Sequence, residues 1–235
     1  MRVTLVSDTH NKHKHVHNNG LGDLPGGDIL IHAGDISSMG YDHEITEFSK
    51  WYDQLEYTHK IFIAGNHDWG FQKRFDKATE IVNSYKTIDY LQDDCILYGN
   101  DEQIVKIYGT PWQPEFCNWA FNLPKNGPEL ISKWEAIHLD TDILVTHGPA
   151  FGILDTVEGR RSEHLGCELL RERIAVVKPK IHVCGHIHTG YGYYFNGETH
   201  FFNASALNEQ YVYANKPFTF DWDPITNEIN FDYEK

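Results

Sequence analysis

The chain reads as an α/β protein, a mixed β-sheet flanked by helices, and three observations lead there. Apolar runs of strand length alternate with segments whose apolar residues recur at helical spacing, an order that implies parallel pairing through crossover helices. Later in the chain, turn residues between aromatic-rich runs signal antiparallel hairpins. Five of the apolar runs stop abruptly in Asp, Asn or His, and in an open α/β sheet the carboxyl ends of neighbouring strands open on one crevice.

Residues 3–7 form the first buried-strand pattern, followed at the turn by Asp8-Thr9-His10. The next segment sets His13, His15 and His17 in alternation and reads as a solvated loop, with metal delivery or substrate gating as the alternative. A strand over 29–33 runs into Gly34-Asp35. Ile45, Phe48, Trp51, Tyr52 and Leu55 then recur at helical spacing, so residues 42–55 are expected to cross back over the sheet with their aromatics in the core. The strand 60–64 ends in Gly65-Asn66-His67-Asp68, and 72–85 reads as a second crossover helix. Residues 95–109 read as two strands around a Gly99-Asn100-Asp101 turn. The segment 110–124 is aromatic and broken by Pro111, Pro114 and Pro124. It is expected over the sheet edge, where Trp112, Phe116 or Trp119 either walls a pocket or simply packs. Pro128 suits the first turn of a helix that carries Ile131, Trp134 and Ile137 toward Leu139. The strand 143–145 ends in Thr146-His147-Gly148-Pro149, a helix over 166–177 is stopped by Pro179, and the strand 181–184 ends in Gly185-His186-Ile187-His188. Two hairpins close the chain, one turning at Asn196-Gly197 and one at 224–227. The expected sheet is thus parallel in its first half and antiparallel in its second.

At 235 residues, with no Pro/Gly/Ser run between two halves, one domain spanning 1–235 is the expectation. The first strand begins at Arg2 or Val3, too early for a signal peptide, and no apolar run reaches membrane-spanning length, so a soluble cytoplasmic protein is expected. Cys95, Cys117, Cys167 and Cys184 form no CxxC pair and read as buried free thiols of a reducing compartment. A net charge of −14 argues against a nucleic-acid polymer as partner, because polyanion affinity comes from Lys and Arg neutralising phosphates. A small anionic substrate is compatible with that charge if two divalent cations sit in the pocket, since they would dominate the local field. The 15 histidines are many for this length, and His is the commonest metal ligand.

Singly, an Asp after a strand is more often a helix cap than a ligand. Jointly, five strand ends carrying Asp, Asn and His read as a two-metal site. The ordered motifs Asp8-Thr9-His10, Gly34-Asp35, Gly65-Asn66-His67-Asp68, His147-Gly148 and Gly185-His186-Ile187-His188 resemble those of the calcineurin-like metallophosphoesterases. A narrower resemblance runs through the segments DILIHAGD, IAGNH, IYGTPWQPEF, NWAFNLP, ILVTHGP and GHIHTGYG, together with Asp155 and residues 166–170. It is to the subfamily of brain metallophosphoesterase-domain proteins, and it implies a compact phosphodiesterase on the calcineurin-like fold, an α/β single-domain mixed β-sheet sandwich flanked by helices.

By this resemblance Asp8, His10, Asp35 and His188 would hold one metal, and Asp35, Asn66, His147 and His186 the other, with Asp35 as bridge. A carboxylate can give one oxygen to each of two cations about 3.5 to 4 Å apart. Mixed N and O donors without thiolate suit Mn²⁺, Fe, Zn²⁺ or Ni²⁺, with Mg²⁺ also possible and Mn²⁺ the first assay metal. A hydroxide shared by the cations would attack phosphorus, and His67, free if its neighbour Asn66 ligates, would act as general acid with Asp68 orienting its imidazole. Asn66, His67 and Trp112 are the expected substrate contacts. Arg160 and Arg161 lie in a polar loop that either reaches a nucleotide or is simply solvated. The expected activity is hydrolysis of small phosphodiesters, cyclic nucleotides foremost. The alternatives are a phosphomonoesterase or nucleotide pyrophosphohydrolase on the same site, or a non-catalytic metal-binding scaffold. Tyr191, Tyr193 and Tyr194 offer either a dimer face or packing for the adjoining hairpin, which leaves the oligomeric state open.

Overall fold

The short apolar runs fold as strands because their alternate residues find two different layers to bury in. In the computed structural model, which describes residues 1–13, 24–100, 103–157 and 163–231, the strands are β1 (Arg2–Val6), β2 (Gly27–His32), β3 (Tyr57–Phe62), β4 (Ile88–Tyr90), β5 (Asp94–Asn100), β6 (Gln103–Thr110), β7 (Gln113–Pro114), β8 (Asn122–Leu123), β9 (Ile143–Thr146), β10 (Ile181–Cys184), β11 (Gly192–Phe195), β12 (His200–Asn203), β13 (Phe218–Asp223) and β14 (Glu228–Phe231). The helices are α1 (Asp42–Asp53), α2 (Trp69–Lys73), α3 (Phe75–Asn83), α4 (Pro128–Glu135) and α5 (Glu168–Val177). His15, His17, Arg160 and Arg161 lie outside the described residues.

Two six-stranded sheets, ordered β14-β13-β1-β2-β3-β4 and β11-β12-β10-β9-β6-β5, lie face to face. Val3, Leu5, Ile29, Ile31 and Ile61 of the first meet Ile107, Ile143, Val145, Ile181 and Val183 of the second in one buried cluster. The residues between them point outward. Leu30 and Phe62 pack under Phe48 and Tyr52 of α1 and Val82 of α3, while Tyr108, Leu144 and Phe201 pack under Leu130 and Trp134 of α4 and Leu170 and Ile174 of α5. The result is a helix–sheet–sheet–helix sandwich. Strands buried on both faces explain why the sequence shows near-continuous apolar runs rather than alternation.

Parallel and antiparallel pairing do not divide between the two halves of the chain as expected. The first sheet is parallel from β1 to its edge at β4 and antiparallel at the β13–β14 edge, while the second is parallel at its centre, through β6, β9, β10 and β12, and antiparallel at both edges. The expected helix over 72–85 is two helices, because Arg74 leaves helical geometry (φ −137°, ψ 47°) and its guanidinium turns back to the Gly40 carbonyl (2.9 Å) and Asp42 (3.0 Å). Gly99 and Asn100 lie in β5, paired with Ile104 and Gln103, rather than in the expected turn, and Asp101 lies outside the described residues. His13 is not solvated: it is buried, with its ring against Phe48 and Trp51. Of the four free thiols, Cys167 and Cys184 are buried, whereas Cys117 is exposed. Among the described residues no helix is long and apolar enough to cross a membrane.

Candidate metal centre

The carboxyl ends of β1, β2, β3, β9, β10 and β12 meet at one rim of the sandwich. The chain leaves these strands by sharp turns, and Asp8 (φ 55°), His10 (φ 41°), Asp35 (φ 55°) and His186 (φ 67°) all sit in the left-handed region. Non-glycine residues held there cluster at functional sites. Two motif glycines are needed for a different reason, close approach. A Cβ on Gly65 would stand 2.3 Å from Asp35 Oδ1, and one on Gly185 would stand 2.1 Å from Asp8 Oδ2.

The predicted ligands converge. Asp35 Oδ2 lies 3.6 Å from His10 Nε2 and 3.4 Å from His147 Nε2, so one carboxylate oxygen faces one histidine of each expected metal set. His188 Nε2 lies 3.4 Å from Asp8 Oδ1, and His147 Nε2 lies 3.0 Å from Asn66 Oδ1. His186 packs its ring edge-on to His147 at 5.1 Å, and its backbone N–H donates to both oxygens of Asp8 (3.1 and 3.0 Å). Two of the histidines are oriented from behind. His147 Nδ1 pairs with the Ala33 carbonyl (2.9 Å) and His188 Nδ1 with the Asn208 carbonyl (2.9 Å), which turns each Nε2 toward the carboxylates, the usual second contact of a ligating imidazole.

The electrostatics fit a cation site. Burial would raise Asp8 and Asp35, but the neighbouring histidines, His188 for Asp8 and His147 for Asp35, hold both carboxyls well below the usual range. The converse holds for two imidazoles. Burial would lower them, yet Asp35 pushes His147 up to about 9 and Asp8 pushes His188 up to about 9. Burial wins for His10 and His186, each brought down to about 4. Without metal, two carboxylates are thus balanced by two imidazolium ions. His10 is the most telling residue, since both its ring nitrogens are buried with no hydrogen-bond partner among the described residues, an arrangement costly unless something is ligated there. Three groups (Asp8, His10 and His188; Asp8, Asp35 and His147; His10, Asp35 and His67) each bring ligand atoms within 4.8 Å of one another. These Asp and His side chains together make a plausible site for divalent metal.

His67 stands at the edge of this cluster, half-buried. Its N–H donates to Asp35 Oδ1 (2.8 Å), and its Nδ1 pairs with the Ser38 carbonyl (3.0 Å). Asp68 does not orient it, contrary to expectation. Both Asp68 oxygens are taken by Gly65 N–H (2.8 Å), Ile36 N–H (3.2 Å), Ser37 N–H (3.0 Å) and Ser37 Oγ (2.5 Å), because Asp68 lies beneath the turn rather than beside the imidazole. Burial and the nearby Asp35 carboxylate push Asp68 up to about 7. Trp112 is also placed differently from a substrate contact. Its Nε1 donates to Asp93 (2.8 Å) and its ring packs on Phe121 and under Lys133. The aromatic neighbours of the centre are Trp119, stacked on His67 at 4.2 Å, Phe116, edge-on to His186 at 6.0 Å, and Tyr211, edge-on to His10 at 4.9 Å. Ser205 and Asn203 escaped the sequence reading. The Ser205 hydroxyl reaches Asp8 Oδ2 (2.9 Å), and Asn203 Nδ2 donates to the carbonyls of Leu154 (3.1 Å) and Ile187 (2.9 Å). A signal was present, because the run before Asn203 and Ser205 has the same apolar-then-polar design as the five recognised strand ends.

A sandwich with metal-ligand chemistry at its strand ends defines a metallophosphoesterase, and the comparisons with known proteins agree. The calcineurin-like phosphoesterase family model matches residues 1–190, and the chain belongs to that family. The human and mouse "Metallophosphoesterase domain-containing protein 1" are each 38% identical over 239 residues, covering 94% of this chain and 70% of theirs. A UPF0046 protein of Caenorhabditis elegans is 37% identical over 226 residues, covering 84% of this chain and 55% of its own. Among solved structures, TT1561 of Thermus thermophilus shares the fold, with a TM-score of 0.61 at 12% identity over 97% of this chain and 96% of that one.

Proposed function

We propose that this chain is a dinuclear-metal-dependent phosphodiesterase acting on small phosphodiesters, with cyclic nucleotides the first candidates. The observation that carries the reading is the position of His67. Its backbone N–H is given to Asp35 and its Nδ1 to the Ser38 carbonyl, which leaves Nε2 to meet a substrate beside the ligand cluster. When bound, two divalent cations, Mn²⁺ the first choice for this donor set, neutralise charge on the phosphoryl oxygens and provide a water nucleophile at neutral pH. As the P–O bond breaks, the His67 Nε2 proton passes to the departing oxygen, and the imidazole regains a proton from solvent. An alkoxide leaving group needs that proton; a phosphate monoester with a good leaving group does not. Asn66 turns its Oδ1 to His147 Nε2 (3.0 Å), and the main-chain turn that holds it also holds His67. A small substrate is favoured over a polymer because a chain of net charge −14 offers little to a nucleic-acid backbone. Four free thiols support a reducing compartment, the cytoplasm.

The test compares initial rates on bis(p-nitrophenyl) phosphate and p-nitrophenyl phosphate with metal-stripped protein reconstituted in Mn²⁺. The expected outcome is faster cleavage of the diester, abolished without metal. His67→Ala should lower kcat on a cyclic nucleotide by about 100-fold or more and less on the aryl diester, whose leaving group departs unprotonated. Preference for the monoester would overturn the reading in favour of a phosphomonoesterase, and no turnover with metal bound would favour a scaffold.

A further inference from the structure

We propose that Trp119 is a positioning residue for His67, whose indole holds the imidazole at the angle from which its proton reaches the departing ester oxygen. The inference rests on the phosphodiesterase reading above. The two rings are stacked, 4.2 Å apart with 28° between their planes, while His10 meets the same imidazole edge-on at 4.6 Å and 86°. The Ser38 carbonyl fixes Nδ1 from a third direction. The χ2 torsion of a histidine is broad and roughly two-fold in isolation. With an indole stacked on the ring, a second imidazole edge-on to it and Nδ1 bonded, the ring has little freedom to turn.

The indole is itself anchored to the centre rather than carried on an independent loop. Ala120 N–H donates to the Asn66 carbonyl (3.0 Å), and Phe121 N–H donates to Gln72 Oε1 (3.1 Å). Cys117 (φ 52°) and Phe121 (φ 55°) bend the segment back over the turn that carries Asn66 and His67. Trp119 is thereby tied to Asn66, the residue before the one it stacks on, and to Gln72 of α2. General acid catalysis depends on hydrogen-bond geometry at the moment of transfer, so a ring free to turn loses rate where the proton is needed. The contribution of Trp119 is therefore confined to esters with poor leaving groups.

The experiment uses Mn²⁺-loaded protein and two diesters of like shape, bis(p-nitrophenyl) phosphate and diphenyl phosphate, whose leaving groups differ in acidity. With Trp119→Ala, kcat on diphenyl phosphate is expected to fall about tenfold or more, and kcat on the nitrophenyl diester less than about twofold, with KM and bound metal unchanged. Trp119→Phe, which can still stack, should recover most of the lost rate. Equal losses on both esters, a change confined to KM, or no loss at all would overturn the proposal. Trp119→Leu keeps bulk without the stacked face and makes the same comparison where the alanine variant does not fold. Failure of the unsubstituted Mn²⁺ protein to cleave either diester would bring down the phosphodiesterase reading and this inference with it. Cleavage of both, with parental leaving-group dependence in the alanine variant, would overturn the role of Trp119 alone.

Discussion

At the scale of single residues, the centre depends on what stands behind the ligands as much as on the ligands. Asp8 is gripped by the His186 N–H and the Ser205 hydroxyl, and the space it occupies exists because residue 185 has no Cβ. Ser205→Ala removes a hydrogen bond to a carboxylate without touching a ligand. Gly185→Ala drives a methyl group into Asp8 Oδ2 and Ser7 Oγ, so the carboxylate must shift to admit it. Each is expected to weaken binding of Mn²⁺ by about 10–100-fold, the ordinary cost of disturbing an outer partner, with the larger loss for alanine at 185. Isothermal titration of the metal-stripped proteins checks both, and an unchanged affinity for Ser205→Ala would show that the His186 N–H alone suffices. The candidate ligands could be picked out in the sequence because each is tied to a local pattern, an apolar run that ends in a polar residue. Ser205 was harder because its role lies in a contact with Asp8 across 197 residues of chain, and no local pattern names the partner. Trp119 and Trp112 illustrate the same limit. Both sit in one aromatic segment, and only the fold separates the indole that stacks on His67 from the one that bonds Asp93.

At the scale of elements, Asp68 joins the exits of β2 and β3. One oxygen takes Ser37 N–H and Oγ, and the other takes Gly65 N–H and Ile36 N–H, so a single buried carboxyl closes two turns that between them present Asp35 and Asn66. Asp68→Ala leaves these buried donors without acceptors and should cost about 3 kcal/mol or more of stability. Asp68→Asn keeps one acceptor oxygen and faces its NH₂ group toward the other pair of donors, so an intermediate loss is expected. Urea unfolding at one pH checks the order, and an Asn variant no less stable than the parent would mean that one oxygen suffices. Helix and strand types were readable from periodicity, whereas their ends were set by contacts further off. The split between α2 and α3 follows from Arg74 reaching Gly40 and Asp42, more than thirty residues earlier, and hydrophobic spacing carries no trace of it.

At the scale of the whole molecule, the sandwich places a histidine on the outer face of each sheet. His32 of β2 packs against Phe48, and His182 of β10 packs against Phe201. That the chain forms two sheets was less legible than that it is α/β, because the inner face of each sheet is as apolar as the outer and pairing order leaves little mark on composition. The buried histidines turn this architecture into a pH dependence. Burial brings each down from 6.5 to about 3. Between those values the unfolded chain binds a proton that the folded chain does not, so stability is complete above about 6.5 and falls as the pH drops toward 3. Each histidine contributes about 1.4 kcal/mol per pH unit across that window. His182 is the cleaner probe. The Thr146 hydroxyl donates to the Gly148 carbonyl (2.7 Å), so the 2.9 Å contact between Thr146 and His182 runs from Nε2–H to the hydroxyl oxygen, and a glutamine can supply that donor without titrating. His182→Gln should therefore gain on the parent by about 2 kcal/mol between pH 7 and pH 5, whatever its standing at pH 7. Urea unfolding of both proteins in chelator at the two pH values gives the difference directly, and titrations common to both, those of the metal ligands included, cancel in it. Parallel curves would mean that His182 takes up its proton in the folded state and that the layer over β10 admits a charge.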